Sequence, residues 1–232
     1  MDAHQSSLCT PLKGHDMTLF LEQLQGIAQY YPVILKGVGV TLALSVIGIV
    51  AGTIVGFVLG IARASSNTLL SFVVGAYTDI FRGTPVLVQV FVVFFILPEA
   101  GIELDSFTAG ALALSNIAAC FISEIVASGI RAVPVGQVEA AASAGLTRLQ
   151  QLRLVVLPQA TRMIVPSLVG QFVLLVKDSS VVSAIGLLDL TRSGWIIVQS
   201  VPNGMLVFSV VGIGYFLICY PLLHLSRRME KT

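Results

Sequence analysis

Asp79 and Arg82 interrupt a long apolar stretch, and charged groups are costly wherever lipid replaces water. Three residues apart on a helix, they would meet on one face, with Gln89 two turns further along roughly the same face. Two kinds of chemistry fit this spacing: an ion pair that neutralises itself, or polar groups that line a path for a small charged solute. The sequence leaves both open.

A second polar stripe runs along a later apolar segment, where Asn116, Cys120, Glu124 and Ser128 recur every four residues. A stripe of this kind must face protein or water rather than lipid. Glu124 is predicted either to meet a cationic group of a solute or to pair with a residue of a neighbouring segment.

A third group of polar residues lies further along, where Ser167, Gln171 and Asp178 share a helix face next to Lys177. Gln171 is a candidate to line a path, whereas Lys177 and Asp178 fit a snorkelling role at the membrane boundary equally well. The complete set of candidate path residues is Asp79, Arg82, Thr84, Gln89, Asn116, Glu124, Gln171, Lys177 and Asp178.

Motifs for catalysis or cofactor binding do not accompany these residues. The phosphate-binding pattern G-x-x-x-x-G-K-[ST] does not occur, so the chain is not predicted to bind ATP. The three histidines lie near the ends of the chain, and the three cysteines have no C-x-x-C spacing. We therefore expect no enzyme activity, no metal site and no bound cofactor.

The composition indicates that lipid is the main solvent of this chain. Hydrophobic residues make up 56% of the 232 residues and charged residues only 11%, with a mean hydropathy of +0.93. Soluble domains carry about 25% charged residues. The net charge of +1 and the scattered basic residues do not suggest nucleic acid as a partner. The chain is predicted to be an all-α integral membrane protein, because helices satisfy their own backbone groups in lipid.

Apolar runs long enough to cross about 30 Å of hydrocarbon predict five transmembrane helices. The second is expected to be broken, or kinked at Pro85, because proline removes a backbone donor. A glycine at every fourth position from Gly48 to Gly60 predicts close packing against a helix of the same subunit or of a second copy. The predicted spans are Gly37–Ala62, Leu69–Leu97, Phe107–Ile130, Met163–Val176 with a start near Gln159, and Met205–Leu225.

Charges in the loops predict the orientation, since Lys and Arg are retained on the cytoplasmic side. Basic residues follow spans one, three and five, whereas the loop between spans two and three carries Glu99, Glu103 and Asp105. The N-terminus is therefore predicted outside and the C-terminus inside, with residues 131–162 as the main cytoplasmic loop.

Residues outside the spans complete the predicted organisation. The apolar spacing of residues 17–31 predicts a helix lying on the outer membrane face, and residues 1–16 are interpreted as an extension before a start at Met17. Residues 181–200 are expected to form a second, partly buried element. The domain division is then 1–31 for the extension and interfacial helix, 32–228 for the transmembrane domain and 229–232 for a cytoplasmic tail.

Residues 133–159 predict a short helix, a turn at Gly145 and a second helix ending near Pro158. Their amphipathic surface, rich in small residues, is typical of elements that dock into a groove on a partner. The residues that form a spaced pattern in this loop are Glu139, Ala140, Ala141, Gly145, Val155, Leu157 and Pro158.

This pattern resembles the EAA loop of permeases from ATP-binding-cassette (ABC) importers, in which E-A-A is followed after three residues by G and after nine more by I-x-L-P. Val155 stands where isoleucine is usual. Three further segments look like parts of polar amino acid permeases of the histidine, glutamine and arginine type: residues 82–85 (R-G-T-P), 123–125 (S-E-I) and 177–180 (K-D-S-S). The resemblance covers residues 32–228.

The resemblance implies the transmembrane domain of a type I ABC importer in the bacterial inner membrane. Its partners would be a dimer of cytosolic ABC ATPase subunits that use the ATP, a second permease copy or a sister permease, and a periplasmic amino acid binding protein. The loop at 133–159 would pass motion from the ATPase to the spans in an alternating-access cycle, with Glu139 capping or anchoring the loop helix.

Alternative functions stay open at this point. A secondary transporter driven by an ion gradient, a membrane scaffold and an intramembrane enzyme are the rivals from other classes. Within the same class, a permease of this type could carry another small zwitterion, such as an opine or a compatible solute.

Overall fold

A computed structural model describes residues 15–229, and every regular element in that range is helical. The predicted extension up to residue 14 and the last three residues of the predicted tail lie outside the described residues. In chain order the helices are α1 His15–Ala28, α2 Tyr31–Arg63, α3 Thr68–Arg82, α4 Val86–Glu99, α5 Ser106–Arg131, α6 Val135–Ser143, α7 Arg148–Ile185, α8 Leu190–Val198 and α9 Gly204–Met229.

The helices α2, α5, α7 and α9 are each long and apolar enough to cross a membrane. The pair α3 and α4 makes up a fifth candidate span, bent by 100° at a short break. Pro85 is the residue before α4. Its backbone is extended, with ψ 138°, and the chain changes direction here. The predicted interruption is therefore a break between two helices rather than a kink within one.

The glycine ridge of α2 packs against α5 in the same chain. A Cβ atom on Gly52 would lie 2.5 Å from the Cβ of Ala118, and one on Gly56 would lie 2.7 Å from the Cβ of Ile122. Both distances are far inside van der Waals contact, so only glycine lets the two helix backbones approach this closely. The packing partner that the sequence left open is the third span of the same subunit.

Exchange of Gly56 for alanine is expected to destabilise the fold by about 1–3 kcal/mol, the usual range for overpacking a filled interface. The new methyl group would meet the Cβ of Ile122 and, at 2.9 Å, the carbonyl oxygen of Ala119, neither of which is a flexible chain end. The matched control is Gly39→Ala on the same helix, where the methyl group meets nothing within 4 Å. The thermal unfolding midpoint in detergent should fall for the first variant and stay or rise for the second, since alanine favours helix. Equal midpoints would contradict the packing described above.

The segment before α8 is held by a fully buried carboxylate. Asp189 caps α8 by accepting from two of its backbone N–H groups, and Tyr215 of α9 donates to it at 3.1 Å. Leu190 N–H donates to Thr41 Oγ1 of α2 at 3.2 Å. Burial raises the pKa of the Asp189 carboxyl, and these hydrogen bonds oppose the rise. The partly buried element predicted at 181–200 is thus tied to the first and last spans.

The coupling segment differs from its prediction at one point. The second loop helix does not end near Pro158, because α7 continues from Arg148 through this residue into the fourth span. A π-helical turn over Leu152–Val156 precedes the proline. A π turn shifts the hydrogen-bond pattern of the helix and so accommodates a residue without an N–H. Loop helix and span therefore form one rod.

Near the N-terminus, α1 covers most of the predicted interfacial segment. Its Ile27 is buried against Ile197 and Val201, next to the loop that leads into α9. Asn203 Nδ2 donates to Gln23 Oε1 at 2.7 Å. This helix is consequently attached to the end of the bundle where α8 meets α9.

Candidate functional site

Four charged side chains from three helices form one ion-pair cluster. Arg63, the last residue of α2, lies 3.0 Å from Asp79 of α3 and 2.9 Å from Glu124 of α5. Arg82 of α3 lies 3.1 Å from Glu124 and 3.5 Å from Asp79. Two positive and two negative charges alternate around the cluster, so its net charge is zero.

The cluster answers the question of how Asp79 and Arg82 pair. They do meet on one helix face, but theirs is the longest of the four contacts. Arg63 is the most buried member of the cluster, with only 12% of its side chain exposed, whereas 58% of the Asp79 side chain is exposed. From the sequence, Arg63 is one of the basic residues that follow the first span and predict the orientation. Its position at the end of a span could have indicated its place in the cluster, because a long side chain at a helix end can extend to a neighbouring helix.

Further groups hold the cluster in place. Ser128, on the predicted stripe of α5, donates to Glu124 at 3.2 Å. The guanidinium of Arg82 stands 5.4 Å from the ring centre of Phe121, a cation–π geometry. Arg63 also donates to Thr78. Glu124 thus pairs with two arginines of neighbouring spans in the same chain, and its contact with a solute stays a prediction.

Thr84 and Gln89 brace the break between α3 and α4. Gln89 Nε2 donates to the carbonyl of Phe81 at 2.7 Å, and to the carbonyl and hydroxyl of Thr84 at 3.2 and 3.0 Å. Because two of these partners are carbonyl groups, the orientation of the amide is fixed. Gln89 thus satisfies backbone acceptors that the end of α3 leaves open.

A small, uncharged and mostly apolar opening lies beside this brace. Its volume is about 180 Å³, and Thr84, Gln89 and Asn116 contribute its polar side chains among apolar neighbours. Asn116 is itself hydrogen-bonded to Tyr77 of α3. Its three polar side chains are uncharged and already take part in hydrogen bonds within the chain, and the ionic groups of the cluster are matched to one another.

The remaining candidates lie apart from the cluster and the opening, on α7. Gln171 is buried in the bundle, and Lys177 and Asp178 take no part in the four ion pairs of the cluster. Lys177 instead lines a separate opening of about 310 Å³, together with Ser180 and Tyr215. The nine candidates are thus divided among three places. Within residues 15–229, His, Cys, Asp and Glu side chains do not gather in groups that could hold a metal ion.

The loop at 133–159 forms a compact helical hairpin. In α6, Glu139 and Ala140 are exposed and Ala141 is buried. Gly145 follows with φ +81°, a left-handed conformation that glycine adopts without strain. Pro134 is the N-cap of α6. Glu139 lies in the middle of the helix, so the expectation that it caps the helix is wrong, and an anchoring role stays a prediction.

Arginines connect this hairpin to the turn between α2 and α3. Arg148 Nη1 donates to Ser66 Oγ at 2.7 Å, and Arg131 Nη2 donates to the carbonyl of Arg63 at 2.9 Å. The side chain of the same Arg63 holds the ion-pair cluster. The hairpin therefore contacts the turn that follows Arg63, and the end of α5 contacts the backbone of Arg63 itself.

The chain has five apolar spans, of which the second is broken, and an exposed helical hairpin continuous with the fourth span. These features define a membrane-embedded transport subunit with the fold of type I ABC importers. A crystal structure of an amino acid ABC transporter with histidines contains a chain that matches with a TM-score of 0.81 and 32% identity, over 88% of this chain and 96% of that one. The methionine ABC transporter MetNI, at 24% identity and a TM-score of 0.73, shares the fold over 86% of this chain and 95% of its own.

Sequence comparison gives the family. Residues 48–231 match the inner membrane components of binding-protein-dependent transport systems, and the chain belongs to this family. It is 34% identical to the putative glutamine transport system permease protein GlnP of Rickettsia felis, over 88% of this chain and 96% of that protein. It is 33% identical to the arginine transport system permease protein ArtQ of Bacillus subtilis, over 86% of this chain and 92% of that protein.

Proposed function

We propose that this chain is the permease subunit of an ATP-driven importer that carries polar amino acids across the bacterial inner membrane. The observation that carries the proposal is the hairpin at 133–159. It contains the residues that match the EAA pattern, and its second helix runs on into a span. The names of its relatives, which include glutamine and arginine permeases, support the class of solute.

The hairpin offers a surface on which an ATPase subunit would dock. Exposed apolar side chains of Val135, Leu149 and Leu154 accompany the exposed Glu139 and Ala140. Exposed apolar groups beside a charge are typical of a surface that a partner covers. The ATPase dimer would bind the ATP and hydrolyse it, and this chain would contribute no catalytic group.

In the proposed orientation this hairpin lies in the cytoplasm and the N-terminus lies outside. The basic residues of the hairpin and of the end of α9 support this arrangement, because both would lie on the retained side. A periplasmic binding protein would deliver the amino acid to the opposite face. A second permease copy or a sister permease would complete the pore.

The solute path would pass the uncharged opening at Thr84, Gln89 and Asn116. Sites for small solutes are mostly apolar with a few placed polar groups, and this opening has three such groups without a net charge. Glu124 lies on the same helix as Asn116, and Arg82 ends the helix that precedes Thr84, so a change in their pairing would reshape the path.

Uptake in proteoliposomes tests this function. The chain, its ATPase subunit and a second permease copy or sister permease would be reconstituted with binding protein outside and ATP inside, and labelled glutamine, arginine and histidine offered in turn. We expect uptake that needs both ATP and binding protein. Uptake driven by a proton or sodium gradient alone would instead support an ion-coupled transporter. Competition by an opine or a compatible solute, but by none of the amino acids, would move the substrate to that class.

A further inference from the structure

The junction between hairpin and span contains an irregular turn. Within α7, the residues Leu152–Val156 form a π turn, in which Leu157 N–H donates to the carbonyl of Leu152, five residues back. Pro158 follows at once and has no N–H to donate. The regular pattern of an α-helix, with bonds four residues back, therefore cannot pass through this junction unchanged.

The side chain of Gln159 adds a hydrogen bond at this junction. Its Nε2 donates to the carbonyl of Val155 at 3.0 Å. In a regular α-helix that carbonyl would accept from the backbone N–H of the same Gln159. Only the amide nitrogen can donate to a carbonyl, so the orientation of the side chain is fixed.

A second π turn in the same chain separates the effect of proline from that of the glutamine. In α4, the π turn Val92–Ile96 is also followed by leucine and proline, at Leu97 and Pro98. The residue after that proline is the exposed Glu99, and an ionised carboxylate has no hydrogen to donate to a carbonyl. Proline thus accounts for both π turns, whereas the side-chain brace belongs to the junction in α7.

One side of the junction is anchored and the other is free. Val156 and Ala160 are buried in the main core, against which Leu152 also packs. Arg153 and Leu154 on the opposite side are exposed. Movement of the hairpin can therefore turn the helix about an anchored side, and π turns and prolines are the places where helices bend.

We infer that Gln159 is a positioning residue that fixes the register of the π turn, so that movement of the hairpin is passed into the fourth span. The inference rests on the proposed function, because it assumes that an ATPase moves the hairpin. Without the brace, the Val155 carbonyl loses the side-chain bond, and the turn can take up motion that the span would otherwise follow.

The test is the amount of ATP hydrolysed per amino acid transported by the reconstituted complex. Gln159→Met keeps the length of the side chain but cannot donate, and we expect this ratio to rise about five- to tenfold, within the usual range for coupling between distant sites. The control is Thr161→Val, which removes the bond from Thr161 Oγ1 to the carbonyl of Leu157, at 2.6 Å and beyond the π turn. This control should leave the ratio unchanged, and both variants should retain the bound ATPase subunit.

Pro158→Ala provides a second variant, since it restores an N–H and allows the helix to regularise. It should raise the ratio in the same direction. An unchanged ratio in both Gln159→Met and Pro158→Ala, an equal rise in Thr161→Val, or loss of the ATPase subunit from Gln159→Met would each overturn the inference. Failure of the wild-type complex to transport with ATP would instead contradict the proposed function, and the two failures are thereby distinguished.

Discussion

Exchange of Glu124 for glutamine is expected to destabilise the folded chain by about 2–4 kcal/mol, somewhat less than the loss for one partner of a fully buried ion pair. The reason is electrostatic: the guanidinium groups of Arg63 and Arg82 both approach Glu124 within 3.1 Å, and without it they face each other with only Asp79 for compensation. The thermal unfolding midpoint in detergent measures the change.

The control for this variant is Asp79→Asn. Asp79 is the most exposed member of the cluster, so solvent screens its loss, and we expect an effect of about 1 kcal/mol or less. A midpoint for Asp79→Asn as low as that for Glu124→Gln would contradict the screening of the Asp79 charge by solvent.

The double variant Glu124→Gln with Arg82→Gln separates the two interpretations of Glu124. Removal of one charge of each sign restores neutrality, so part of the lost stability should return, and the midpoint should lie above that of Glu124→Gln alone. If the pair is structural, uptake recovers together with stability. If Glu124 meets the solute, uptake stays low while the midpoint recovers.

Exchange of Glu139 for lysine is expected to release the ATPase subunit while leaving the permease folded. The side chain is exposed in the middle of α6, so the fold itself should change by no more than about 0.5 kcal/mol. At a docking surface that is complementary to Glu139, the lysine would face a positive charge of the partner. Like charges opposite each other across an interface cost several kcal/mol. Co-purification of the ATPase should fall about tenfold or more, and ATP-driven uptake with it.

Gln137→Lys is the matched control for this second prediction. Gln137 is also exposed in α6, but two residues earlier, and so projects from nearly the opposite side of the helix. It should retain the ATPase. Normal uptake by Glu139→Lys, or equal loss from both variants, would argue that α6 does not dock through the face that carries Glu139.

Hydropathy and proline were sufficient to predict the membrane helices. Each long apolar run became a helix, and Pro85 marked the break in the second span, because both signals depend on local chemistry alone. The spacing of the α2 glycines likewise predicted a packing ridge. Which helix packs on that ridge depends on contacts far apart in sequence, and the structure was needed to show that it is α5.

The candidate site was only partly predictable for the same reason. Spacing along one helix brought Asp79 and Arg82 together, but it says nothing of a residue that reaches across from another helix. The sequence therefore did not identify Arg63 as a member of the cluster. Pro158 was interpreted as a helix end because proline usually is one, whereas in the structure a π turn precedes it and lets the helix continue.

The broken second span bears on how the protein is made. With 15 residues, α3 measures about 22 Å, which is short of the hydrocarbon thickness, and α4 is no longer than α3. Neither half is long enough to cross the bilayer alone, and the charges of α3 pair with Arg63 and Glu124 on the flanking spans as well as with each other. Full pairing of these charges requires α5, so we expect the second span to be stable in the bilayer only once α5 has been made.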